Sequence, residues 1–321
     1  MAFQISPGVN VSEVDLTTVV PSVLTTAGAF AGTFPWGPAN QPVSIDSEIN
    51  LVRNFAPQGP DSASAVSFFT AANFLSYGNN LKIVRAVGST SNNATSSANV
   101  QILNTASFED SLLNQNNSDA YGPFIARYPG SLGNGIKVEV FDSSNSTLFN
   151  AWTYKNYFQS APTTSSYASK ANGSNDEFHI VVIDAGAKIT GIANTVLETF
   201  GFVSKAYDAT LNGTTNYYKQ VVYEQSKYIY ATDPVDYANT SATWGQNATG
   251  TTFTRIDAGT YPSGNITKTL TKGTDSSPSI GNLESGYDQF KNKDSIDVSL
   301  VLTGDASTTL QNYVISNIAN P

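Results

Sequence analysis

Few residues in this chain have types that could do chemistry, and their spacing decides how far each reading goes. One histidine, His179, stands in "FHIVVID". Acyl transfer by a serine–histidine–aspartate set needs that imidazole beside an activated serine, and no G-x-S-x-G elbow occurs. A histidine in mid-strand reads instead as a structural residue whose ring nitrogens are satisfied. It has no second imidazole with which to hold a metal, cysteine is absent, and no D-x-[DN]-x-[DN]-G calcium loop is present. Carboxylates remain. Asp294 with Asp297, Asp184 and Glu177 offer acids for a glycosidase-type pair, but Asp294 lies in "KNKDSIDVS", where neighbouring lysines read as a solvated turn. The stretch "GAFAGTFPWG" lacks the G-x-x-x-x-G-K-[ST] phosphate pattern, and "PGSLGNG" leads into a strand rather than a helix N-terminus. Both read as tight turns in which backbone passes close to backbone. Trp36, between Phe34-Pro35 and Gly37-Pro38, is either a stacking platform for a ligand or an aromatic plug over a domain edge. The flanking prolines favour the plug, because they fix the backbone rather than open a cleft. No catalytic residue, metal or cofactor is expected.

The elements that position these residues belong to a globular chain. Its 321 residues allow two or three domains, and 17 Phe, 16 Tyr and 3 Trp are too many for a disordered segment. Charged residues make up only 13%, so Ser, Thr, Asn and Gly cover a surface that is polar but mostly uncharged. A net charge of −9 with no basic cluster argues against direct contact with nucleic acid or an anionic membrane. The start MAFQIS has no basic region leading into an apolar stretch, so no signal peptide is read.

Residues 43 to 88 predict helix, helix, strand. The first helix has Ile49, Val52 and Phe55 at helical spacing, Asp46 as N-cap and Glu48 in its first turn. The second is capped by Asp61 or Ser62, presents Ala65, Phe68, Phe69, Ala72 and Leu75, and ends at Gly78. "LKIVRAV" alternates Leu81, Ile83, Arg85 and Val87 as a strand. Residues 89–122 read as a polar excursion. Short strands follow over 123–287: "GIKVEVF", "EFHIVVID", "YYKQVVYEQSKYIYA" and "TFTRIDA", with "ITGIANTVLETFGFV" open between helix and strand. "SIDVSLVLTG" then predicts a strand, and "ASTTLQNYVISNIANP" a helix with Leu310, Tyr313, Val314, Asn317 and Ile318 near one stripe. The fold class is therefore multidomain α+β or α/β. An α/β domain is assembled from 23–122 and 288–321, and a β-rich domain over 123–287 is inserted in it. The outer sheet reads as unfinished, since a final helix normally leads to another strand.

Several stretches occur together in one family. "SPGVNVSEVD", "AGAFAGTFPWGPANQPVSIDSEINLVRNF" and "AANFLSYGNNLKIVRAV" resemble the N-terminal third of phage contractile tail sheath proteins. "ARYPGSLGNGIKVEVF" is similar to the segment that opens the next sheath domain, and "GYDQFKNKDSIDVSLVL" to the return to the first one. Phe34, Trp36, Gly37, Pro38, Tyr128, Pro129, Gly130 and Gly133 are the motif residues within that resemblance. It implies a mechanical virion protein and not an enzyme. Subunits would stack helically around the tail tube and rearrange to drive the tube through the host envelope. The partners implied are copies of itself, the tube protein, the baseplate and the tail terminator, with assembly in the host cytoplasm. The resemblance further implies that residues 1–22 form an arm adding as a strand to a neighbour's sheet. Ile5, Pro7, Gly8, Val9, Val11, Glu13 and Asp15 are its candidate residues, Pro7 limiting pairing to an edge and the acids opposing random aggregation; a frayed terminus is the plain alternative. Family members continue past the helix that ends here into a C-terminal lobe, so a shortened chain or a sheath divided between genes is expected. Rival readings are the sheath of a phage-derived injection device, a glycan-binding adhesive virion protein and a carboxylate-pair hydrolase.

Overall fold

The computed structural model describes residues 26–319 apart from 58, 60, 114–118, 293 and 295, and its first sheet draws strands from both ends of that range. Strand β1 (Gly28–Gly32), strand β2 (Pro42–Ile45), helix α1 (Glu48–Phe55), helix α2 (Ser62–Leu75) and strand β3 (Leu81–Arg85) come first. β1 lies parallel to β3, and β2 pairs antiparallel with the other side of β3. The stretch "GAFAG", expected as a turn, is thus an interior strand buried along its length. Its glycines serve close packing: a Cβ at Gly28 would lie 2.7 Å from the Phe74 ring of α2. The two faces of the sheet follow the period of two. Phe30, Leu81 and Ile83 meet Leu51, Phe55, Phe68 and Ala71 on the side of α1 and α2.

Both helices form as expected but are rotated. In α1 the buried residues are Leu51 and Phe55, while Ile49 is 71% exposed. The cap is Ser47, whose hydroxyl accepts from the Asn50 amide N–H; Asp46 accepts from the Ser47 hydroxyl. In α2 Asp61 caps by accepting from the Ser64 amide at 2.8 Å. Its inner face is Ser64, Ser67, Phe68, Ala71 and Ala72, and Phe69 turns to solvent.

The polar excursion is not bare loop, since it carries β4 (Asn93–Thr95) and the short helix α3 (Thr105–Phe108). Beyond it lie β5 (Phe124–Pro129), β6 (Ile136–Phe141), α4 (Ser146–Ala151), α5 (Ser166–Lys170), β7 (Glu177–Asp184) and β8 (Thr195–Ser204). The small pair β9 (Thr210–Leu211) and β10 (Thr214–Thr215) follows, then α6 (Tyr218–Gln225), β11 (Ile229–Ala231), α7 (Tyr237–Thr240) and β12 (Asn265–Thr269). One antiparallel sheet runs β12-β6-β7-β8 and another runs β11-β5-β4. Val138, Val140, Phe178, Ile180 and Val182 face one core; Phe141, Val181 and Ile183 face the opposite one with Phe149 and Trp152. The segment left open between helix and strand contains β8. "YYKQVVYEQSKYIYA" is a correction: Tyr218, Val221 and Val222 fall at i, i+3 and i+4 and are buried as helix α6, leaving only β11 as strand. "TFTRIDA" forms no strand, only a 3-10 turn at Ile256–Ala258.

Helix α8 (Ile280–Asp288), strand β13 (Leu300–Leu302) and helix α9 (Thr308–Val314) return to the first sheet, whose full order is β13-β1-β3-β2. β13 is parallel to β1. Tyr287, Phe290, Leu310, Val314 and Ile318 cover Ala29, Ala31 and Val84 on the face away from α1 and α2. Gly286 permits the approach of α8, since a Cβ there would sit 3.2 Å from that of Ala31. The final helix keeps the expected inner residues Leu310, Val314 and Ile318. No helix among the described residues is long and apolar enough to cross a membrane.

Candidate functional site at the seam around Arg85

The eight motif residues converge where the first sheet meets the β-rich part. The turn after β1 carries Phe34 to the α1 side, 4.8 Å from the Phe55 ring. Gly37 adopts φ 102, and a Cβ on it would meet Phe55 at 2.6 Å and the Asn54 carbonyl at 2.7 Å. Pro38 continues this turn, and Trp36 points the other way. Its ring is 5% exposed, packs edge-on against Tyr128 at 5.3 Å and belongs to the core that includes Phe124, Val138 and Phe178. Trp36 therefore fills the seam itself rather than covering the edge of the first sheet. Gly130 (φ 133) has no room for a side chain between the Asp275 carboxylate and the Pro35 carbonyl, and Gly133 lies against Ala94 and Ala126.

At the centre stands a residue that the motif reading passed over. Arg85, last in β3 and 2% exposed, donates from Nε to the Phe34 carbonyl at 2.7 Å and from Nη1 to that of Gly37 at 2.9 Å. Its Nη2 donates to the carbonyls of Pro35 at 3.3 Å and Pro129 at 2.8 Å. Burial lowers the guanidinium to about 10 against the pull of Asp275, so it stays a cation at neutral pH. Asp275 also accepts from the Ser131 amide. The signal was present in the sequence: Arg85 shares the strand phase of Leu81 and Ile83, and a charge on an apolar face needs partners. A cleft of about 540 Å³ opens beside it, lined among others by Pro35, Ser64, Leu132, Lys188 and Ser276. The cations there are already engaged, Lys188 by the Ser131 carbonyl.

Elsewhere polar groups hold structure. His179 accepts at Nδ1 from the Phe202 amide at 3.1 Å, which places the proton of the neutral ring on Nε2, and Nε2 donates to the Ser160 carbonyl at 2.9 Å. Burial pushes it down to about 4. The register of β7 and β8 shifts between Phe178 and Ile180, leaving an extra residue on β8 with Phe202 at φ 55; the imidazole satisfies the amide that this bulge frees from the ladder. Asp142, Lys205 and Arg255 form a buried ionic cluster, with Nζ to Oδ1 at 2.7 Å and Nη1 to Oδ1 at 3.0 Å. Burial lowers Lys205 to about 8 against the pull of Asp142.

The four acids proposed for hydrolysis are not brought together. Glu177 and Asp184 occupy opposite ends of β7, roughly 23 Å apart at strand rise. Asp184 is committed to the amides of Lys188, Ile189 and Thr190, and Asp294 and Asp297 are exposed beyond α8. No group of three or more metal-type ligands occurs among the described residues. Trp36, Trp152 and Trp244 are each 5% exposed, so the tryptophans build cores rather than an open groove for sugars. The arm candidates Ile5, Pro7, Gly8, Val9, Val11, Glu13 and Asp15 lie outside the described residues.

No family model matches the chain. Curated relatives do. The tail sheath protein of Salmonella phage ViI is 32% identical over 216 residues, 66% of this chain and 31% of that protein. The tail sheath protein of Enterobacteria phage T4 is 41% identical over 83 residues, 26% of this chain and 12% of that one. For Vibrio phage KVP40 the tail sheath protein is 40% identical over 92 residues, 28% and 13% respectively. The matches thus span a third or less of these relatives. Among solved structures, the sheath tail protein of Listeria innocua gives a TM-score of 0.44 at 12% identity over 91% of this chain and 43% of that one. That of Desulfitobacterium hafniense gives 0.42 at 8% identity over 98% and 48%. These curated relatives are all phage tail sheath proteins. Over the matched residues the chain is their homologue.

Proposed function

We propose that the chain is a subunit of a contractile phage tail sheath. It polymerises helically with its own copies around a tail tube and rearranges to drive that tube through the host envelope. The observation that carries the reading is the 32% identity to a tail sheath protein over 216 residues. Its partners are further copies, the tube, the baseplate and the tail terminator, met during assembly in the host cytoplasm. Residues 1–22 serve as the arm, with Ile5, Pro7, Gly8, Val9, Val11, Glu13 and Asp15 extending a neighbour's sheet by main-chain pairing. Each such bond nets only about 1 kcal/mol, so the connection gains strength by repetition along the polymer.

Two bodies divide this labour. The first, built on the sheet β13-β1-β3-β2, forms the polymer. The second, spanning about 89 to 275, is the inserted β-rich body that faces outward. The excursion is assigned to it because Asn93 and Thr95 pair with β5 and Thr95 bonds the Thr271 backbone.

Immunogold electron microscopy with antibodies against the purified chain tests the reading on virions of the encoding phage. Label is expected in a row along the tail between head and baseplate. Label on fibres or capsid alone would sink the proposal.

A further inference from the structure

We propose that the seam is a clamp and not a hinge: Arg85, gripped by main-chain carbonyls of both bodies, makes them one rigid lever. The inference rests on the two-body division proposed above, but not on polymerisation.

Domain pairs joined by linkers move relative to one another by default, unless an interface restrains them. Here two linkers cross side by side and are bonded to each other. The Gly88 amide donates to the Ser276 carbonyl at 3.0 Å, and Asn92 and Thr274 exchange both backbone bonds at 3.1 Å. The Ser276 amide donates to the Ser91 hydroxyl at 3.0 Å. Paired linkers resist the twist that a single strand permits.

Glycines at such a crossing would ordinarily mark a hinge. These do not have the space to act as one. A Cβ at Gly88 would lie 2.4 Å from the Ser276 hydroxyl, and one at Gly273 would lie 2.4 Å from the Gly130 carbonyl. Their small size serves close backbone contact, which immobilises the crossing.

Arg85 then fixes the remaining rotation. Its planar fork reaches three carbonyls of the turn at 34–37, which belongs to the first body, and the Pro129 carbonyl of β5, which belongs to the second. The donors lie in a fixed geometry. Swinging β5 away would leave a buried guanidinium N–H unpaired, so the bond to Pro129 opposes the motion strongly. Trp36 adds a packing contact against Tyr128, and the Asn104 side chain donates to the carbonyl of Ala39, just past the turn, at 2.9 Å. In a sheath, displacement of the first body would carry the second with it undamped.

The chain has no cysteine, so labels can be placed cleanly. Spin labels at Tyr77→Cys after α2 and Tyr157→Cys in the β-rich body occupy exposed positions, and pulsed dipolar spectroscopy on the full chain in dilute solution reads their separation. The expected result is a single narrow distance distribution. Adding Arg85→Met should abolish that narrow peak in favour of a broad one while the far-UV circular dichroism is retained, with Arg85→Lys in between. A folded Arg85→Met chain that keeps the narrow peak overturns the clamp. If Arg85→Met does not fold, Arg85→Lys decides: a broadened distribution supports the clamp, and an unchanged one overturns it. None of these outcomes bears on virion labelling, so clamp and sheath readings fail separately.

Discussion

His179 shows how one buried base turns structure into pH dependence. Burial holds it near 4 against an ordinary value of 6.5, so between those values the unfolded chain takes up a proton that the folded chain refuses. Its contribution is fully present above about pH 6.5 and is lost as pH falls toward 4, a loss of about 3 kcal/mol by linkage. His179→Gln should lower stability at pH 7, where its amide fits the bulge less well. The gap between variant and wild type should then narrow as urea unfolding is repeated at pH 5.5 and 4.5. A gap constant with pH would contradict the assignment. At this scale the sequence was legible where a residue's chemistry depends on its own strand: His179 reads as structural from its place in an apolar run. Arg85 was not read, because its partners, Phe34, Gly37 and Pro129, are brought to it by other elements.

Elements were legible in kind more often than in phase. Both early helices form, yet Leu51 points inward where Ile49 and Val52 were expected, because Gly37 and Phe34 draw Phe55 toward the turn and Leu51 lies one turn before it. The consequence is measurable. Leu51→Ala should cost about 3 kcal/mol in denaturant unfolding, while Ile49→Ala should fall within about 0.5 kcal/mol of wild type; equal losses would return the helix to its expected rotation. β1 escaped recognition for a different reason. "GAFAG" has no β-branched residue and only Phe30 among small ones, unlike an ordinary strand, since Ala29 and Ala31 lie under α8 and α9 and a Cβ at Gly28 would meet Phe74 of α2. α6 was missed because Tyr217, Tyr218, Val221 and Val222 look like strand residues, and the core of Phe178 and Trp244 that packs on Tyr218 overrides that preference.

For the whole molecule, the coupling of the two bodies predicts one calorimetric unfolding transition for the chain, with van't Hoff and calorimetric enthalpies in agreement. Two separated transitions in the wild-type chain would mean that the bodies hold together only loosely. The two-ended first sheet could be read from its flanking strand and helix patterns. The seam's composition could be read from its prolines and glycines, but not its centre, since Arg85 and Asp275 are distant in sequence and only the paired linkers bring them near. Those linkers have an evolutionary side as well. Entry and exit of the β-rich body are adjacent, so recombination at two nearby joints can replace it as a cassette without redrawing the sheet beneath. An incoming cassette is nevertheless keyed. It must bring a carbonyl to the place of Pro129 and a hollow for Trp36, so descent can vary the rest of its surface freely only while these two tokens of compatibility are passed on.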